Sequence, residues 1–171
     1  MAFTFMPDFW FDTYDKADAD FLKSLGVKGL ILDIDNTLEP YENATPGEGV
    51  ALWLSSLREV GIACAFVSNN GKERVELFNK ELSLPAYYKA KKPFSKNLKR
   101  AMTDMGTDKT NTYMMGDQVF TDVLAARFAG LAGAILVNPI KDKTDRLTRF
   151  KRWLEKPILK KYERKKGKNP R

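Results

Sequence analysis

The chain reads as one α/β domain: a three-layer α/β/α fold around a parallel five-stranded sheet. Three observations predict this. Short apolar runs alternate with longer amphipathic stretches in the order β-α-β-α-β-α-β-α-β. Glycines close the helical stretches at Gly26, Gly61, Gly106 and Gly130. The length, 171 residues with 43% hydrophobic and 30% charged, suits one domain with a substantial core. Right-handed crossovers between successive strands then put helices on both faces of the sheet.

The first segment, through Tyr14, is dense in aromatics (Phe3, Phe5, Phe9, Trp10, Phe11, Tyr14) without a clean period. It is expected to form an irregular strap or short turn on the body; the functional alternative is an aromatic lip at a membrane interface. A helix is predicted over 16–25. Leu30-Ile31-Leu32 reads as a buried parallel strand, apolar on both faces. Thr45-Pro46-Gly47-Glu48 predicts a helix start, with Thr45 as cap, Pro46 first and Glu48 closing a capping box. That helix carries Val50, Leu52, Leu54 and Leu57. Residues 62–67 form the second strand, 72–82 a helix, and Tyr87-Tyr88 a short strand. Residues 94–105 are helical, 112–115 a strand, 119–129 a helix, and Ala134-Ile135-Leu136-Val137 the last strand of the sheet.

Composition removes several chemistries. There is no histidine, which excludes Ser-His triads, His acid/base catalysis and His-ligated zinc. The lone cysteine, Cys64, lies in a buried-strand pattern and reads as a small core residue. A thiol phosphatase needs an arginine six positions after its cysteine, and that position is Asn70. No stretch approaches the roughly 20 apolar residues of a membrane span, and the N-terminus lacks a signal-peptide pattern. A cytoplasmic protein is the expectation.

The strand ends carry the chemistry. They bear Asp33 with Asp35, then Ser68, then Lys92, then Asp117 with Asp122, and parallel strands bring all of these to one edge of the sheet. Taken singly, each has a plain explanation: Ser68 caps the next helix, Lys92 is a solvated surface charge, Asp117 begins a helix, and Asp122 lies on a helix surface. Asn36 and Thr37 could simply make a turn. The plain explanations leave the coincidence of these groups at successive strand ends unaccounted for. Side chains alternate along a strand, so Asp33 and Asp35 are expected on one side, where their mutual repulsion calls for a cation. A divalent ion such as Mg²⁺, which prefers oxygen ligands, is the simplest choice.

The chain at this point resembles the haloacid dehalogenase (HAD) superfamily of phosphatases. The resemblance rests on Asp33-Ile34-Asp35-Asn36-Thr37, on Ser68, on Lys92 before Pro93, and on Gly116-Asp117-Gln118 with Thr121-Asp122, in that order. It implies a Rossmann-like fold, with Asp33 as nucleophile and Asp35 as the acid that protonates the leaving oxygen and then activates water. That role needs Asp35 to hold a proton near neutral pH. It also implies Mg²⁺ held by Asp33, Asp117 and the backbone carbonyl of Asp35, with Asp122 and Thr37 supporting the ligands from behind. Ser68, Asn69 and Lys92 would bind the phosphoryl group; Lys91 is the alternative to Lys92. The whole-chain layout resembles the capless YqeG-type branch, similar to phosphatidylglycerophosphate phosphatases. The gaps from Asp35 to Ser68 and from Ser68 to Lys92 are too short for a cap domain. The site should therefore be open.

The net charge of +7 is unevenly spread. Residues 141–171 hold 14 basic and 4 acidic side chains, and the first 140 hold 15 and 18. The expected division is a phosphatase domain over 1–156 and a basic tail over 157–171. Leu147, Phe150, Trp153 and Leu154 recur at helical spacing from Asp142 to Glu155, where Pro157 is expected to break the helix. The tail has three readings: a core-packed helix with a solvated end, attraction to an anionic membrane, or RNA binding. The resemblance implies a phosphorylated substrate, most specifically a phosphatidylglycerophosphate-like headgroup. The alternatives are a small ester, nucleotide or phosphoprotein as substrate, and an RNA- or ribosome-associated module.

Overall fold

Leu30, Ile31 and Leu32 are wholly buried and form β2 (Gly29–Leu32), the strand around which the computed structural model is built. Residues 5–141 and 146–166 are described. β2 pairs with β3 (Ala63–Val67) on one side and β5 (Thr112–Gly116) on the other. Beyond β3 lies β4 (Ala86–Tyr87); beyond β5 lies β6 (Gly133–Val137), and β1 (Phe9–Phe11) completes the sheet. All pairings are parallel, in the order β1-β6-β5-β2-β3-β4.

The alternation of side chains along β2 sorts the helices into two layers. Leu30 and Leu32 share one core with buried residues of α1 (Ala19–Ser24), α2 (Glu48–Glu59) and α3 (Lys72–Asn79). Ile31 shares the other with α4 (Lys96–Met105) and α5 (Leu124–Ala129), against which Ile158 and Leu159 of α6 (Arg146–Lys166) pack. The sheet is thus covered on both faces, which explains the unbroken apolar runs of its inner strands.

The sheet has six strands, not five. The sixth is the aromatic segment expected to be an irregular strap. Its rings serve both faces of an edge strand, which hides any alternation. Phe11 is buried, Phe9 and Phe11 meet Phe21 edge-on at 5.2 and 5.3 Å, and Trp10 turns the other way onto Tyr162. The Trp10 indole also donates to Asn138 Oδ1 at 2.8 Å. Phe3 lies outside the described residues.

Three further expectations are corrected. The first helix is shorter than 16–25, starting at Ala19 with Asp18 accepting from the Phe21 N–H. The second begins at Glu48 behind Gly47 and has no capping box. Glu39 reaches across from the loop after β2 to accept the Gly47 N–H at 2.8 Å, and this replaces the predicted Thr45 cap. Pro157 does not end the last helix. Although proline removes one backbone donor, α6 is pinned on both sides of it. Glu155 accepts from the Val119 N–H at 2.8 Å, and Tyr162 is fully buried against Trp10. The predicted start at Asp142 and residues 167–171 of the tail lie outside the described residues.

Candidate active site

The topology selects a place before any side chain does. From β2 the chain proceeds outward to β3 and β4; from β5 it proceeds the other way, to β6. The C-terminal ends of β2 and β5 therefore flank the switch point of the sheet, where open α/β sheets form their crevice. Asp33 follows β2 and Asp117 follows β5. The Asp33 N–H donates to the Met115 carbonyl at 3.0 Å, which extends the ladder by one step and aligns the two ends.

Around that point Asp33, Asp117 and Asp122 are all buried, and carboxylate oxygens of the three lie within 4.8 Å of one another. Lys92, also buried, donates from Nζ to Asp33 Oδ1 and to Asp122 Oδ1, both at 2.7 Å. Lys91 is exposed and does not reach this cluster. Asp117 accepts from Arg152 Nη2 at 2.9 Å and from the Thr37 hydroxyl at 3.5 Å. Asp122 is held by a π-helical turn, Val119–Val123, and accepts the Gln118 N–H at 3.1 Å. Gly116 is required here, because a β-carbon at that position would collide with the Asp122 carboxylate.

Asp35 lies among different partners. Its Oδ1 accepts from Arg74 Nε at 3.0 Å and lies 2.9 Å from Nη2; its Oδ2 accepts from Asn70 Nδ2 at 3.0 Å. Arg74 is fixed in turn by the Ala44 carbonyl at 3.0 Å and lies over the ring of Phe78. Ser68 is buried at the end of β3, with its Oγ accepting the Asn70 N–H at 3.1 Å. Asn69 is turned to the backbone of Lys92: its amide accepts the Lys92 N–H at 2.6 Å and donates to the Lys92 carbonyl at 3.3 Å. Its side chain thus braces the lysine. Asn36 takes a left-handed conformation, φ 63°, which asparagine tolerates, and this folds the loop after Asp35 back on itself.

Charge and burial set the electrostatics. Burial, with Asp122 and Asp35 adding to it against the opposing Lys92, lifts Asp33 to about 6. Burial, with Asp33 and Asp122 adding to it against Arg152, lifts Asp117 to about 7. Burial alone would lower the Lys92 ammonium, but Asp122 and Asp33 outweigh it and hold the group above the usual lysine range. Three buried carboxylates thus face two cations, Lys92 and Arg152. Oxygen donors at this spacing, short of one positive charge, fit a hard divalent cation.

The cleft holds about 270 Å³ and is walled by Asp33, Asp35, Ser68, Lys92, Gln118 and Lys151. A larger and more apolar cavity, about 450 Å³, lies at the other end of β3 beside Ala63 and Cys64, where burial pushes the thiol up to about 12. That pocket is far from the carboxylate cluster and offers no reactive thiolate. The structure therefore gathers Asp33, Asp35, Ser68, Lys92, Asp117 and Asp122 at one edge, with Thr37 and Asn69 behind them. Asn70, Arg74 and Arg152 also belong to the site and were not singled out from sequence for it. Their partners are 35 or more residues away, and no local spacing signals such pairs.

Fold and site together define a class: an α/β protein with a cluster of carboxylates, fit to hold a cation, at the switch point of its sheet. Residues 89–156 match the HAD-hydrolase-like family model. The chain is 39% identical over 163 residues to the probable phosphatase YqeG of Bacillus subtilis, covering 94% of this chain and 93% of that one. It is also similar in fold to the 3-deoxy-D-manno-octulosonate 8-phosphate phosphatase of Moraxella catarrhalis, solved with magnesium, phosphate and the sugar. That match has a TM-score of 0.54 and 19% identity, over 82% of this chain and 91% of that one. The cobalt-bound deoxy-D-mannose-octulosonate 8-phosphate phosphatase of Haemophilus influenzae gives 0.53 and 16%, over 66% and 69%. The chain belongs to the haloacid dehalogenase (HAD) superfamily of phosphatases.

Proposed function

We propose that the protein hydrolyses a phosphomonoester through a phosphorylated Asp33, and that its substrate is a phosphatidylglycerophosphate-like lipid. The observation that carries the reading is the position of Asp33. It sits at the switch point, as one of three clustered carboxylates suited to Mg²⁺ and in contact with the Lys92 ammonium. Asp33 attacks phosphorus while the ester oxygen leaves and takes a proton from Asp35. A water then gives a proton to Asp35 and attacks the aspartyl-phosphate, releasing phosphate and restoring Asp33. Asp33, Asp117 and the Asp35 carbonyl would hold Mg²⁺, which supplies positive charge to the phosphoryl oxygens. Lys92 and Ser68 bind those oxygens, and Asp122 keeps Lys92 in place. Both oxygens of Asp35 face donors, so proton delivery requires Asn70 or Arg74 to give way to the leaving oxygen.

The lipid is supported by three features. The connections around Asp35 and Ser68 hold a loop with α2, and then α3 with β4, which leaves room for a substrate too large to enclose. The C-terminal region is basic. The sequence resembles the branch that contains phosphatidylglycerophosphate phosphatases. The test is phosphate release from phosphatidylglycerophosphate in mixed micelles with Mg²⁺, beside soluble esters and the Asp33→Asn protein. Preferred release from the lipid, lost in Asp33→Asn, supports the reading. Release from soluble esters alone keeps the mechanism and removes the lipid.

A further inference from the structure

We propose that the outward face of α6 is a docking surface for an anionic lipid bilayer, seating the catalytic edge of the sheet against it. The proposal deepens the lipid reading above and rests on it for its purpose, but its evidence is separate.

The two faces of α6 are used in opposite ways. The inward face is fixed largely by polar anchors: Arg152 on Asp117, Glu155 on the Val119 N–H, and the buried Tyr162. The largest apolar side chains of its first half point away. Leu147 is 64% exposed, Phe150 56%, Trp153 62% and Leu154 37%, and the rings of Phe150 and Trp153 stack with centroids 6.1 Å apart. Their spacing makes one stripe along the helix. An ordinary surface helix would bury that stripe.

Charge selects the occupant. α6 carries ten basic and two acidic residues, and one of the two, Glu155, is buried. Lys156, Lys160 and Lys161 continue the helix beyond the stripe and are exposed. Lysine is depleted at protein–protein interfaces, which argues against a second copy of this chain. Exposed Trp, Phe and Leu among dense Lys and Arg is the composition of a helix lying in the interface of an anionic membrane. Location agrees. Lys151 and Thr148 of the same helix line the catalytic cleft. Further exposed apolar side chains follow the strand ends at the same edge: Tyr41 after β2, Phe94 after β4 and Ile140 after β6. A bilayer touching the stripe would also meet the mouth of the cleft.

The experiment is co-sedimentation of the full chain with vesicles of phosphatidylcholine alone or mixed with phosphatidylglycerol, neither of which carries a phosphomonoester. The expected result is binding to the mixed vesicles that weakens with salt. It should fall by about tenfold or more in a Phe150→Ser/Trp153→Ser variant that melts normally and hydrolyses a soluble ester at the unchanged rate. Absence of binding to anionic vesicles, or equal binding by the variant, overturns the proposal. So does a dimer in the ultracentrifuge that the variant converts to monomer, which would assign the face to a second copy. Binding without lipid hydrolysis keeps the surface and removes the lipid as substrate. Hydrolysis in micelles without vesicle binding does the reverse.

Discussion

Asp33 and Asp35 stand two residues apart and meet opposite surroundings. Asp33 turns into a buried cluster of like charges, where Lys92 is its direct cationic partner and is shared with Asp122. Asp35, equally buried, turns toward Arg74 and Asn70, which between them engage both of its oxygens. In the proposed reaction the first environment would hold a carboxylate in place to attack, and the second would hold one in reach of the leaving group. Identical side chains meet different partners because the chain leaves the ladder just after Asp33. The tight loop through Asn36 then sends the second carboxylate toward α3.

The sharpest way to break the comparison is Asp33→Asn. It should abolish hydrolysis of every phosphomonoester, by about a thousandfold or more, while the fold survives, since it removes one of three crowded charges. Phosphate release and a thermal melt check both halves. A residual rate near that of the parent would mean that Asp33 is not the nucleophile.

Next is Lys92→Met. It strands Asp33 and Asp122 without their shared cation, and breaking a buried pair from one side costs about 3–5 kcal/mol. Urea melts should show the loss, and activity should disappear with it. Arg74 serves one carboxylate rather than two, and Asn70 still donates to Asp35 without it, so Arg74→Ala should cost less stability. It should lower turnover by about tenfold, because Asp35 loses its orientation. Comparing the two variants in the same melts and assays ranks the two surroundings directly.

The titration of Asp117 offers a third, smaller difference. Its folded value is about 7 against an ordinary 3.8. Between these limits the folded protein keeps a proton that the unfolded chain has lost, so stability of the metal-free protein should fall as pH rises from about 4 to 7. A divalent ion binds the deprotonated form, so added Mg²⁺ should raise the melting temperature more at pH 7.5 than at pH 5.5. Asp117→Asn should flatten the pH slope of the metal-free protein and remove most of the Mg²⁺ effect. An equal Mg²⁺ shift at both pH values would argue that the cation sits elsewhere.

Much of this was legible in the residues. Apolar runs identify the inner strands, because a strand covered on both faces has no polar face to show. Polar groups at successive strand ends mark the edge, because parallel strands all point their ends one way. Leu30 and Leu32 could be placed in one core and Ile31 in the other from alternation alone. The edge strand Phe9–Phe11 could not, since every ring there packs and no period survives. The cap of α2 was misplaced because its true partner, Glu39, lies eight residues upstream in the same connection, beyond the reach of the capping-box spacing. Pro157 was read as a stop because local backbone chemistry predicts one; anchoring through Glu155 and Tyr162 overrides it.

What followed from the chain alone is therefore the order of elements from β2 to β6 and the residue types at their ends, both set by local periodicity and covalent neighbours. What needed the folded molecule is the pairing: Lys92 between Asp33 and Asp122, Arg74 on Asp35, Arg152 on Asp117, and the turning outward of Phe150 and Trp153. Those depend on which distant segments share a volume. Burial and charge balance are properties of that volume, and no window of neighbouring residues contains them.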